Sequence, residues 1–282
     1  MRNILFIIII AFLTQSCTER MDLDKELGKD FPQYVVVEAF VNTDTTEHVV
    51  KLTRSKKLDD TNAVGKVAGA QVSISGNGQE IQLAEKEAGF YYTPSNFHVV
   101  VGQRYYLTIE GVDIDGDGSE DLITATDSVP SVPELDSVKL KYYDPWEAWA
   151  LQPYAQEPGD EENFYMFKAS VNHKTVTDTL YEFVVTDDFL FNGSYISGLD
   201  TYYLNMEDQD ETLELGDTVT LEISGISERA YDFILQAQIE SGYSSPLFSG
   251  PPSNVEHNIE GYYVFGAFVT YASNRKSCIW QE

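Results

Sequence analysis

The sequence predicts a mostly β protein made of two successive β-rich domains, with one short helix in the second. Three observations lead there. Short runs of alternating β-branched and aromatic residues recur along the chain, separated by Gly, Pro and Asn turn signals. A stiff two-proline connector, Val129-Pro130-Ser131-Val132-Pro133-Glu134, interrupts them near the middle. One stretch only, with Tyr231, Ile234, Leu235 and Ile239, shifts to helical spacing. A chain of 282 residues has the length of one large or two modest domains, and 43% hydrophobic content excludes wholesale disorder despite the charge.

The first element is not part of the fold. Arg2 and Asn3 lead into an apolar run from Ile4 to Leu13, followed by Thr14-Gln15-Ser16-Cys17. Ten apolar residues are too few to span a bilayer as a mature helix, so residues 1–16 are expected to be an export signal. The small Ser16 ahead of Cys17 fits cleavage before the cysteine, and the segment resembles the lipoprotein signals of Bacteroidota. That resemblance implies a diacylglycerol on the Cys17 thiol and an acyl chain on its new amino group, giving a lipid anchor in the outer membrane. The alternative is an ordinary secretory signal followed by an unmodified thiol. Residues 17–30 then form a polar tether. Thr18-Glu19-Arg20-Met21-Asp22-Leu23-Asp24 is acidic and resembles surface-export signals, which favours the cell surface over the periplasmic face.

The first domain is expected over residues 31–130. Strand-like runs cover Tyr34 to Val41, His48 to Leu52, Ala70 to Ile74 and Glu80 to Leu83, with Gly76-Asn77-Gly78 as a hairpin turn. Gly89 to Tyr92, Arg104 to Ile109 and Leu122 to Thr126 complete seven strands in about a hundred residues, the density of a β-sandwich. The order of glycines and alternating residues from Gly69 to Ile109 resembles the transthyretin-like, immunoglobulin-like regulatory sandwich, a module without chemistry of its own.

The second domain is expected over residues 131–282. Its strands lie near 138–143, 164–171, 181–185 and 218–223, and a last strand runs from Tyr262 to Val269. The helix is expected near 228–241, because Ser227 can cap its start and Gly242 can end it.

Leu190-Phe191-Asn192-Gly193, Ile226-Ser227 with Ala230-Tyr231, Pro251-Pro252-Ser253-Asn254-Val255, and Gly261 with Phe265-Gly266-Ala267-Phe268 occur in an order similar to a Bacteroidota lipoprotein family known as domain of unknown function 4249. The resemblance implies an outer-membrane lipoprotein often encoded beside a TonB-dependent receptor, and implies no activity.

Charge narrows the partners. Eighteen Lys and Arg stand against 46 Asp and Glu, a net of -28, so polyanions are repelled and a nucleic-acid partner is excluded. Loss of residues 1–16 would remove Arg2 and no acid, leaving the acidity with the exported part.

The sharpest chemical signal is Asp113-Ile114-Asp115-Gly116-Asp117-Gly118-Ser119-Glu120-Asp121. Asp113, Asp115, Asp117, Ser119 and Asp121 have the alternate spacing at which a turning loop gathers oxygens around calcium. Strand-like flanks and Thr124 at the twelfth position separate it from an EF-hand and make it similar to hairpin calcium loops. A structural calcium is expected here, with a solvated acidic turn as the alternative. Acid runs at 159–162 and 207–211, and the pair Asp187-Asp188, lack this register and are expected to be solvated loops or turns.

Tyr142-Tyr143-Asp144-Pro145-Trp146-Glu147-Ala148-Trp149, with Tyr154, is the densest aromatic stretch. Trp146, Trp149 and Tyr154 either pack inside or form a contact surface for a glycan or peptide. His48, His98, His173 and His257 lie in unrelated segments, and the chain has no nucleophile elbow, phosphate loop or dinucleotide fingerprint. Cys278 is expected to be a small buried hydrophobe. The expected function is therefore non-enzymatic: an accessory binding subunit of a TonB-dependent uptake system, with a surface glycan-binding or adhesive module as the alternative.

Overall fold

A computed structural model describes residues 33–56, 62–159, 161–242 and 254–281. The expected signal, Cys17, the tether, Asp160 and the Pro251-Pro252-Ser253 run lie outside the described residues. In the first half, β1 (Val35–Asn42), β2 (Val49–Arg54), β3 (Gly65–Lys66), β4 (Gln71–Gly76) and β5 (Gln79–Gln82) come in order. β6 (Ala84–Glu87), β7 (Phe90–Tyr92), β8 (Arg104–Val112) and β9 (Asp121–Ser128) follow. The second half has β10 (Leu135–Tyr143), β11 (Ala148–Gln156), β12 (Phe164–Val171), β13 (Lys174–Thr175) and β14 (Val184–Asp187). It continues with β15 (Tyr195–Ser197), β16 (Tyr202–Leu204), β17 (Thr218–Ile226), the helix α1 (Glu228–Ser241), β18 (Ile259–Glu260) and β19 (Val264–Ile279). The fold is mostly β with one α-helix among the described residues. No described helix is long and apolar enough to cross a membrane.

Local signals act as the sequence suggests. Asn77 and Gly78 both take positive φ in the two-residue turn that pairs Gly76 with Gln79, the backbone a tight hairpin of this hand requires. Ser227 accepts from the Ala230 amide and caps α1, and the helix ends at Gly242. Ala230, Phe233 and Ile234 form its buried face. They pack on Met166, Ile226, Ala267, Val269 and Tyr271 of the sheet beneath.

The long-range organisation departs from two successive domains. Three sheets are present: ten strands in the order β13-β12-β17-β19-β1-β2-β7-β6 with β14 and β3 on its flanks, five in the order β18-β9-β8-β4-β5, and a four-stranded sheet of β10, β11, β15 and β16. β19 is the spine. Its first half lies parallel to β1, from Val35 opposite Val264 to Asn42 opposite Tyr271, and its second half runs antiparallel to β17. The largest sheet therefore crosses the position expected to divide the chain near 130. The two prolines turn the connector without separating two units, because the first strand finds its partner among the last residues.

Burial explains this choice. Val35, Val37, Ala39 and Val41 alternate into a core with Val72, Leu107, Ile109 and Ile123, and Phe268 and Ala272 of β19 complete that core. Gly266 permits the close approach. Its φ is +120°, and a Cβ there would lie 2.0 Å from the Val37 carbonyl oxygen. Asp127, buried at the end of β9, accepts from the Thr270 amide at 2.7 Å and fastens the five-stranded sheet to the spine. Asn258 does the same close by, donating to the Thr126 carbonyl at 3.2 Å and the Phe268 carbonyl at 2.6 Å and accepting from the Phe268 amide at 3.0 Å.

A second core lies between the four-stranded and ten-stranded sheets. Leu135, Val138, Leu151 and Ala155 face Tyr165, Phe167, Ala169, Val219, Leu221 and Ile223 there. Alternation along β12 thus sends Tyr165, Phe167 and Ala169 to this core and Met166 to the helix side. Cys278 is half-buried against the same core, and burial raises its thiol pKa.

Candidate functional site

Three features expose chemistry on this frame. The first is the acidic turn between β8 and β9. Asp113 accepts from the Gly116 amide at 2.7 Å and the Gly118 amide at 3.0 Å, Asp115 from Asp117 at 3.1 Å, and Asp117 from Ser119 at 2.7 Å. These bonds curl the turn so that one carboxylate oxygen each from Asp113, Asp115 and Asp117 falls within 4.8 Å of the others. Oxygens at that spacing can share one cation about 2.4 Å from each, the distance calcium prefers, so the donor set fits the ion. Two of the five expected ligands stand apart from this trio. The Asp121 carboxylate accepts from the Ile114 amide at 2.9 Å, and Ser119 joins the turn through its backbone. Arg54 on β2 donates to the carbonyls of Asp113 and Ile114 at 2.9 and 3.1 Å, and Ile114 is buried in the first core.

The second feature is the outer face of the four-stranded sheet. Tyr142 pairs across the ladder with Trp149; the Trp149 ring turns inward against the second core and meets Trp280 with ring centres 4.1 Å apart, while Tyr142, beside it, is 43% exposed. Tyr143, one residue on, points outward by strand alternation. Asp144-Pro145-Trp146 forms a short 3-10 turn that carries Trp146 over Tyr143, nearly parallel at 29° with centres 5.3 Å apart. Tyr203 on β16 meets Trp146 edge-on at 5.8 Å. Trp146 and Trp149 are therefore not one surface: they lie on opposite faces of the sheet. Tyr154 is on the outer face farther along β11, covered by Lys139 with its ammonium 4.6 Å from the ring centre.

A carboxylate orders the outer rings. Asp200 accepts from the Tyr143 hydroxyl at 2.5 Å, the Tyr203 hydroxyl at 3.0 Å and the Gln152 amide at 2.7 Å. Burial pushes the Asp200 pKa up, but the bonds from Tyr143, Gln152 and Tyr203 outweigh it and hold the acid below its ordinary value. Lys141 donates to the Tyr143 hydroxyl and lies 4.3 Å from that ring centre. Asp200 and Tyr203 escape a linear reading, since only the pairing of Ala150 with Tyr203 brings them beside Tyr143.

The third feature is the turn from Asp188 to Ser194. Phe189 and Leu190 at its tip are 82% and 88% exposed. Its base is the opposite, with Asp188 2% and Glu157 1% exposed. Glu157 accepts from the Gly193 amide at 2.5 Å and the Tyr165 hydroxyl at 3.0 Å, while Asp188 accepts from the Asn192 side chain at 3.0 Å. The Asp188 carbonyl also takes the amides of Phe191 and Asn192, and Phe191 stacks on Tyr165. Burial raises the pKa of Glu157, and burial first and the Glu157 charge second raise that of Tyr165. Asp188 is thus a buried anchor of the turn. Glu211, expected in a solvated acid run, is likewise buried, accepting from the Asn205 amide at 2.6 Å and the Tyr202 hydroxyl at 3.2 Å.

The Leu190-Phe191-Asn192-Gly193 turn, the capped start of α1 and the Gly266 crossing are the structural forms of motifs that run in order along the chain. A family model described as Domain of unknown function (DUF4249) matches residues 20–277. The chain belongs to that family. No curated protein matches this DUF4249 chain.

Proposed function

We propose that this DUF4249 protein is a non-enzymatic lipoprotein of the outer membrane, anchored through diacylglycerol and an acyl chain on Cys17. On this reading it faces the cell surface and serves as an accessory binding subunit beside a TonB-dependent receptor, in bacteria of the Bacteroidota type. The signal-like residues 1–16 with the small Ser16 ahead of Cys17 support the address. The transthyretin-like order of the N-terminal strands belongs to the same reading, as does a structural calcium held by Asp113, Asp115 and Asp117.

The observation that carries the subunit role is the rigid turn bearing Phe189 and Leu190. Two adjacent apolar side chains almost wholly in water gain nothing for the fold. Their support is nonetheless dense, with two buried carboxylates, Asn192 and a stacked Phe191 holding the backbone. A pre-ordered apolar tip lowers the entropy lost on docking and suits insertion into a partner's pocket. Acids at 187, 161 and 162 in the same region make a cationic rim on the partner favourable and an anionic lipid surface unfavourable.

The test is extraction of cell membranes with mild detergent and mass-spectrometric identification of what accompanies the tagged protein. A TonB-dependent receptor is expected with the unaltered chain. It should be strongly depleted for Phe189→Ser with Leu190→Ser, whereas Cys17→Ala should leave the membrane fraction altogether. Absence of any such receptor beside the unaltered protein would refute the subunit role. Retention of Cys17→Ala in the membrane would refute the anchor.

A further inference from the structure

The outer aromatic face is a second recognition surface, and it uses none of the residues of the Phe189 turn. Trp146 is 65% exposed, with one side of its indole on Tyr143, so the ring offers its other side to solvent. Tyr203 stands edge-on beside it, making a corner of two aromatic planes at 80°. An indole this exposed contributes little burial to folding, and tyrosine hydroxyls at a surface are satisfied by water without any protein partner. Three hydrogen bonds into Asp200, from Tyr143, Tyr203 and Gln152, nevertheless fix the arrangement. The rings are therefore ordered before any ligand arrives, which removes a large part of the entropy lost on binding.

The chemistry around the corner selects the ligand class. A pyranose has an apolar face of C–H groups that covers an aromatic ring, and a rim of hydroxyls that both donate and accept hydrogen bonds. Asp200 supplies a carboxylate acceptor, Lys141 an ammonium donor, and the two tyrosine hydroxyls, whose protons go to Asp200, serve as acceptors. A net charge of -28 opposes anionic ligands, phosphorylated or sulfated ones included. A protein partner would call for a broad apolar centre, whereas here the exposed rings are interrupted by Lys139, Lys141, Gln152 and Asp200. We propose that Trp146, Tyr143 and Tyr203, with Asp200 and Lys141 at their rim, form a binding site for one ring of a neutral saccharide. The site stands independently of the receptor-subunit reading.

The experiment uses the full mature chain in detergent. It is applied to an array of neutral oligosaccharides spanning hexoses, pentoses and N-acetylamino sugars, with sulfated and phosphorylated counterparts, and the best binder is then titrated by calorimetry. Binding to a neutral glycan is expected, with at least a tenfold loss of affinity for Trp146→Ala and for Tyr203→Ala. Asp200→Asn should weaken binding severalfold by loosening the rings, and Tyr181→Ala, exposed elsewhere, should leave it unchanged. Melting curves show that each variant remains folded. Four results would overturn the proposal: no glycan bound across the array; binding that survives Trp146→Ala; preference for sulfated or phosphorylated sugars; or binding of caffeine, a flat ring system with no hydroxyls, as tight as that of any sugar. Loss of saccharide binding without loss of receptor co-isolation would show that the two surfaces act separately.

Discussion

Replacing Gly266 by Ala is expected to prise β19 from β1. A Cβ at this position would lie 2.0 Å from the Val37 carbonyl oxygen and 2.8 Å from the Val37 amide nitrogen and carbonyl carbon, all of them backbone atoms with no freedom to swing aside. Relief to an ordinary contact needs a strand shift of about 1 Å, enough to stretch a hydrogen bond of normal length beyond useful range. Overpacking of this kind costs about 1–3 kcal/mol. The φ of +120° adds about 1–3 kcal/mol for a residue with a side chain. A total of about 2–6 kcal/mol would be a large share of a marginal stability of about 5–15 kcal/mol. Gly216 is the internal control, with φ +97° but nothing within 4 Å of its would-be Cβ, so Gly216→Ala meets only the backbone term. Urea titration followed by tryptophan fluorescence reads both variants, with Trp280 against Trp149 reporting on the end of β19. The midpoint for Gly266→Ala should fall well below that of Gly216→Ala, and its melting temperature should drop by about 10 °C from the unaltered chain. Equal losses, within about 0.5 kcal/mol, would refute the parallel contact of β1 with β19.

Ser227→Ala should cost about 1 kcal/mol or more by leaving the Ala230 amide without its cap and Asp127 without the Ser227 hydroxyl, while Ser227→Thr, which keeps the hydroxyl, should cost less; thermal melting distinguishes them. Burial raises Asp127, Glu157 and Glu211, so each holds its proton more tightly when folded, and the stability this provides is lost as pH rises through the folded values. Asp44 is lowered, chiefly by its bond from Arg275, and its contribution is lost as pH falls below the ordinary 3.8. Melting temperature should therefore rise as pH falls toward the ordinary glutamate value of 4.5 and fall below 3.8, with Glu157→Gln flattening the upper limb. At a hundredfold excess over its dissociation constant, calcium should stabilise the protein by about 2.7 kcal/mol. Asp115→Asn with Asp117→Asn should abolish that shift, and identical melts in chelator and millimolar calcium would refute the ion site.

Local signals in the sequence were legible because they act over a few residues. Ser227 and Gly242 bracket α1, and Asn77-Gly78 turns β4 into β5, as spacing alone suggests. Pairings across the chain were not. Val35 against Val264 joins residues with no local trace of each other, so the Pro130 and Pro133 connector reads as a boundary when it is only a bend. The aromatic stretch shows the same limit at smaller scale. Trp146 and Trp149 are three apart, yet a turn between them places one on each face, and their true neighbours, Tyr203 and Trp280, come from distant strands. Among the acids, composition cannot tell Glu211 or Asp188 from solvated carboxylates, because burial depends on which backbone amides the fold brings to them.

The spine formed by the last strand also sets a timetable. A chain synthesised from its N-terminus presents β1 first, and β1 must wait for more than two hundred residues before β19 arrives beside it. Until then β17 also lacks its long neighbour, the first core is missing Phe268, and the bed beneath α1 is missing Ala267 and Val269. Contacts so distant in sequence make folding slow, and the half-finished sheet exposes open strand edges while it waits. Such a chain can close its largest sheet only after its last strand has been made, which makes a chaperone that shields open edges, and not a folded intermediate, the natural companion of its synthesis.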